Sequence, residues 1–93
     1  MTVGLLRLDV RLPEAQSLKE KRRLVKSLVT RIRNRFNVSI SEVENQNKWQ
    51  LAALAVAHVG GNQSHTNQLL DQVLDFAEAV KQLEVINSKI ELL

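Results

Sequence analysis

The chain has 93 residues, a net charge of +3 and no cysteine, and it reads as one domain spanning residues 1–93. Folding at this size buries roughly 60 to 65% of the unfolded surface, which excludes a second core, and the lack of cysteine excludes a disulfide framework or a thiolate metal site. The charge is unevenly placed: Ser17 to Phe36 holds eight basic residues against Glu20 alone, or +7, while the remainder holds five basic and nine acidic residues, or −4.

In chain order, Leu6, Leu8, Val10 and Leu12 alternate with Leu5, Arg7, Asp9 and Arg11, the period of a half-buried strand that Pro13 ends. The same stretch has no basic n-region and is interrupted by charges, so it is not expected to be a signal peptide. Ser17-Leu18-Lys19-Glu20 is a capping box that starts a helix, with the Glu20 side chain expected to reach back to the Ser17 N–H. Leu24, Val25, Leu28, Val29, Ile32 and Phe36 recur at helical spacing, giving one apolar stripe and a helix that runs to about Arg35.

A second strand is expected over Val38 to Glu44 and a polar hairpin turn over Asn45 to Lys48. The third strand, Trp49 to Val59, is apolar on both faces, as a covered central strand would be. Its run from Leu51 to Ala57 is too short to cross a bilayer. Gly60-Gly61-Asn62 breaks it, and a second helix that Ser64 is expected to cap turns Leu69, Leu70, Val73, Leu74, Ala77 and Val80 inward. In a fourth strand, Ile86, Ser88, Ile90 and Leu92 face opposite to Val85, Asn87, Lys89 and Glu91. The order βαββαβ, with right-handed crossovers and a central hairpin, predicts an α+β ferredoxin-like sandwich: a four-stranded antiparallel sheet with both helices on one face.

Ser17-Leu18-Lys19-Glu20-Lys21-Arg22, Arg35-Phe36-Asn37-Val38-Ser39, Glu42-Val43 and Trp49-Gln50 together resemble the YlxP-like family of small bacterial proteins of unknown function. The resemblance covers nearly the whole chain and implies a ferredoxin-like fold. For many members it also implies a gene placed among transcription and translation factors, hence a ribosome-related role. It lends no catalytic residues.

The basic helix carries the functional reading. At 100° per residue Lys19, Arg22, Lys26 and Arg33 form a ridge with Arg23 beside it. Cations in the first turns oppose the helix dipole at a cost of roughly 0.3 to 1 kcal/mol each, and Arg22/Lys26 and Lys19/Arg23 repel at i, i+4. Phosphates would supply the missing partner. A solvated helix face is the bland alternative. A sharper one is an acidic protein surface, since Asp71, Asp75 and Glu78 make an acidic strip on the second helix that would meet the ridge more readily between subunits. The share of arginine in the ridge favours nucleic acid.

Elsewhere the sequence offers less. With no tyrosine and both phenylalanines placed like core residues, the sheet lacks the aromatics on which an RNA-recognition sheet stacks bases. Trp49 is expected to pack beside the polar turn, with a stacking platform or partner hot spot as the minor alternative. His58 and His65 show no metal-ligand spacing, and Ser64-His65 does not make a triad. The two-sided apolar third strand points to a homo-oligomer through the open sheet face, with Ala53 and Ala55, or Ala52 and Leu54, in the interface and Leu5, Val43 and Val85 beside them.

The combined expectation is a cytoplasmic, non-enzymatic protein without cofactor, metal or membrane partner. It acts as an accessory RNA-binding or ribosome-associated factor through Lys19, Arg22, Arg23, Lys26 and Arg33. The alternative is a self-associating regulatory or scaffold domain whose basic helix meets acidic protein surface, with a small ligand at a subunit boundary.

Overall fold

The computed structural model describes Met1–Leu93, with elements β1 (Thr2–Arg11), α1 (Leu18–Arg35), β2 (Ser39–Glu44), β3 (Leu51–Gly60), α2 (Gln63–Glu78) and β4 (Glu84–Leu92). The strands pair antiparallel in one sheet of order β2-β3-β1-β4, the ferredoxin-like arrangement. Side-chain parity decides which face is covered. Leu6, Leu8 and Val10 of β1 and Ala52, Leu54 and Val56 of β3 lie buried in a single core with Val25, Leu28 and Ile32 of α1 and Leu70, Val73 and Ala77 of α2. Burying each leucine contributes roughly 1.5–3 kcal/mol, and a one-residue slip would turn all of them outward, so the register of the central pair is firmly set.

The helix ends follow local chemistry. Ser17 Oγ accepts the Glu20 N–H at 3.1 Å, and Phe36 leaves the helix in extended backbone. The Glu20 carboxylate reaches one residue further back than a strict capping box, accepting the Gln16 N–H at 2.9 Å. At α2 the cap is Asn62, not Ser64: Asn62 Oδ1 accepts the His65 N–H at 2.8 Å, which leaves Ser64 inside the first turn. Gly4 lets this end of α2 approach the sheet, because a Cβ there would stand 2.6 Å from Thr66 Cγ2 and 2.8 Å from Leu70 Cδ1.

Two bulges redirect side chains from strict alternation. In β4 the pairing moves from Asp9↔Asn87 to Val10↔Val85, so Ile86 is the extra residue and stands exposed while Val85 packs against the core. This reverses the expected facing of the start of the strand. In β2 the pairing moves from Glu42↔Leu54 to Glu44↔Ala53, with Val43 left over. The bulge separates two carboxylates that simple alternation would put on one face, sending Glu42 towards the helices and Glu44 to the open side. Both bulged strands are edges, where such irregularities also blunt strand addition.

Candidate functional site

On α1 the positions spaced as Lys21, Val25, Leu28 and Ile32 point at the sheet, and all four are buried. The rest of the basic set is exposed: Lys19, Arg22, Arg23, Lys26, Arg31, Arg33 and Arg35. They divide into two groups. Arg31 and Arg35 lie on the α2 side, their guanidinium carbons 5.7 and 5.5 Å from the centroid of the Phe76 ring, which itself meets Phe36 edge-on at 6.1 Å. Arg33 leans to the β2 edge, where its Nη2 donates to the Ile40 carbonyl at 3.0 Å. Lys19, Arg22, Arg23 and Lys26 remain, and none of them makes an ion pair or a side-chain hydrogen bond within the chain.

The structure thus brings Lys19, Arg22, Arg23 and Lys26 onto one outward surface and places Arg33 at its β2 end, partly engaged by the backbone. The acidic strip Asp71, Asp75 and Glu78 is exposed on α2, and no ion pair joins it to α1. Lys21, which is outside the predicted ridge, faces inward. Its ammonium is fully buried, pairs with the Glu42 carboxylate, and donates to the carbonyls of Asn45 at 2.8 Å and Gln46 at 3.3 Å. One charge is neutralised and a turn is fastened to the first turn of α1. Asn45 takes a left-handed φ of 66°, a conformation asparagine tolerates, as the chain turns over this ammonium.

Gln50 supplies a second fastening. Its amide donates to the carbonyls of Pro13 at 3.2 Å and Ala15 at 3.1 Å, in the connection between β1 and α1. Between the two anchors lies the tip Asn47-Lys48-Trp49. Trp49 precedes β3 and is 55% exposed, contrary to the packed position expected of it.

On the open sheet face Arg7 bonds both Asp9 at 3.1 Å and Glu44 at 3.0 Å. The hydrogen bond from Arg7, reinforced by its charge, holds the Glu44 carboxyl below its ordinary range. This network lies along the positions that pair with Ala53, and Ala53 is buried within the single chain. Ala52 and Leu54 are on the helix side in the core and Val85 is core-facing, so those three are not part of an open patch. Leu5, Ala55, Arg7, Lys89 and Glu91 line a shallow depression of about 270 Å³ that remains.

At the α2 end, His58 Nδ1 lies 3.1 Å from Thr66 Oγ1, with both residues buried and the exposed His65 ring 5.9 Å from the His58 ring. The pair satisfies two buried polar groups at the helix start. Sequence reading missed it, and also missed Lys21 and Glu42. The signal for the latter was present: Lys21 is in helical phase with Val25 and Leu28, and Glu42 is two residues from Ile40.

The class these features define is an α+β ferredoxin-like domain with a cation-rich first helix. The family described as "Protein of unknown function (DUF503)" matches residues 3–90. "Uncharacterized protein YlxP" of Bacillus subtilis (strain 168) is 37% identical over 82 residues, 88% of this chain and 89% of that protein. The chain belongs to this DUF503, YlxP-like family. Among solved structures, "De novo designed protein Foldit4" matches with a TM-score of 0.51 and 15% identity, covering 98% of this chain and 93% of that one, a likeness of fold alone. No helix is long and apolar enough to cross a membrane.

Removing one member of a buried ion pair leaves an uncompensated charge, so Lys21→Met should destabilise the fold by about 3 kcal/mol in urea titration. The double variant Lys21→Met/Glu42→Leu should regain much of that loss. A Lys21→Met protein as stable as the parent would show that the ammonium does not fasten the turn.

Proposed function

We propose that this protein is an accessory RNA-binding factor, acting in the cytoplasm by binding rather than catalysis, with the outer face of α1 as its contact surface. The observation that carries this reading is the set Lys19, Arg22, Arg23 and Lys26: exposed, close together, and without an acidic partner in the chain. Arg33 extends the set towards β2. Four cations held on one rigid helix cost stability through mutual repulsion and the helix dipole, and a row of phosphates offsets both. Ribosome association is the narrower form of the proposal, supported by the setting that the family resemblance implies.

Binding through four phosphates releases counterions, so the affinity for single-stranded RNA should fall with salt at a log–log slope of about −3. Reversing Lys19, Arg22, Lys26 and Arg33 to glutamate should leave the circular dichroism spectrum unchanged while abolishing RNA binding and co-sedimentation with ribosomal particles. Equal binding by the variant and the parent would refute the proposed surface.

Self-association through the open sheet face is a second part of the proposal, favoured by one specific observation. Leu5, Ala55 and Val59 lie on strands whose opposite face already carries both helices, and Leu5 and Val59 are 36% and 65% exposed. Opposite charges flank this region in Arg7, Asp9, Lys89 and Glu91, which suits a twofold contact with a second copy. The expected result is a dimer mass by sedimentation at micromolar concentration that Leu5→Glu converts to monomer. A monomer mass for the parent chain under those conditions would count against it.

A further inference from the structure

An exposed tryptophan on a turn is a poor choice for stability, and this one sits on a turn held from both sides. On one side the buried Lys21 ammonium grips the carbonyls of Asn45 and Gln46, and on the other the Gln50 amide grips those of Pro13 and Ala15. Both anchor points belong to the N-terminal end of α1 or to the connection leading into it. The tip Asn47-Lys48-Trp49 is therefore held beside the helix end that displays Lys19, Arg22 and Arg23. Fixing the backbone in advance removes much of the ordering cost of binding, and the indole presents a broad apolar face with only two rotatable bonds.

We propose that Trp49 is a stacking platform for an unpaired base of single-stranded RNA, whose flanking phosphates lie on Lys48 and on the first-turn cations of α1. The proposal rests on the reading of α1 as an RNA surface and deepens it by naming the form of RNA: a base inside a duplex has no free face to offer, whereas a single strand does. Charge argues for this occupant over an acidic peptide. The indole would give a carboxylate its N–H alone and leave the broad ring face unused, while alternating bases and phosphates match an aromatic ring set beside fixed cations. Proximity argues for it too: the tip carries Lys48 and no acid and is fastened to the first turn of α1, with exposed Glu14 lying between the two carbonyls that Gln50 holds.

The chain contains one tryptophan and no tyrosine, so its intrinsic fluorescence reports on Trp49 alone. The experiment titrates the full chain with a fluorescently labelled oligouridylate or oligoadenylate and with a duplex of equal phosphate number, following tryptophan emission and probe anisotropy together at low salt. Expected are saturable quenching by the single strands in step with anisotropy, and anisotropy without quenching for the duplex. Trp49→Ala should weaken single-strand affinity roughly 5- to 150-fold, the equivalent of ~1–3 kcal/mol per stacked base, and leave duplex affinity unchanged, with Trp49→Phe retaining most of it. Single strands that bind without quenching, or that bind Trp49→Ala as tightly as the parent, would overturn the platform while leaving α1 as the RNA surface. Failure of every RNA to bind would overturn both. An emission spectrum that shifts with protein concentration alone would assign Trp49 to a contact between copies and end the proposal.

Discussion

A buried ammonium is the element on which the arrangement of this chain turns. Lys21 occupies a position that the helical period assigns to the core, and a charge there is tolerable only if oxygen atoms surround it. Glu42 and the carbonyls of Asn45 and Gln46 supply them. Meeting that demand ties three segments together: the first turn of α1, the end of β2 and the turn into β3. The bulge at Val43 belongs to the same solution, since it leaves Glu42 under the helix and releases Glu44 to the open face, where Arg7 bonds it.

The remaining cations of α1 follow from what the fold has already used. Lys21 is consumed inside, Arg31 and Arg35 lie over the aromatic pair against α2, and Arg33 reaches the β2 backbone. Lys19, Arg22, Arg23 and Lys26 serve no internal purpose. Stability alone would favour acids in the first turns of a helix, so a cluster of free cations there is most simply understood as a surface that meets negative charge from outside. The pinned hairpin tip with Lys48 and Trp49 is fastened to the same end of α1 through Lys21 and Gln50. The open sheet face, with its solvated Arg7 network and residual apolar depression, lies on the other side of the sheet and is suited to a different contact.

Much of the fold was legible in the sequence because its signals are periodic. Alternation in β1, the apolar stripe of α1 and the capping box at Ser17 each follow from spacing along the chain, and the order of elements leaves few topologies open. The errors arose where a residue's role depends on a partner distant in sequence or on one extra residue in a strand. Helical phase assigns Lys21 inward, but the carboxylate that makes its burial tolerable is 21 residues away in the chain. Val85 and Ile86 exchanged faces because a bulge carries no strong signal in a sequence of β-branched residues. The apolar pattern starts the third strand at Trp49, whereas β3 begins at Leu51 and the anchored turn, held through Lys21 and Gln50, includes Trp49 with its ring exposed. The outward cations of the site were legible, since a helical wheel needs no tertiary information. What divides them into engaged and free groups was not.

The most direct test of α1 as the contact surface is a residue-by-residue map. In a 15N-labelled sample titrated with single-stranded RNA, the account predicts that amide shift changes concentrate at Lys19, Arg22, Arg23 and Lys26 and extend to Lys48 and Trp49, with the strands' open-face residues unmoved. Changes confined to Leu5, Arg7, Ala55 and Lys89 on the sheet, with α1 silent, would contradict it.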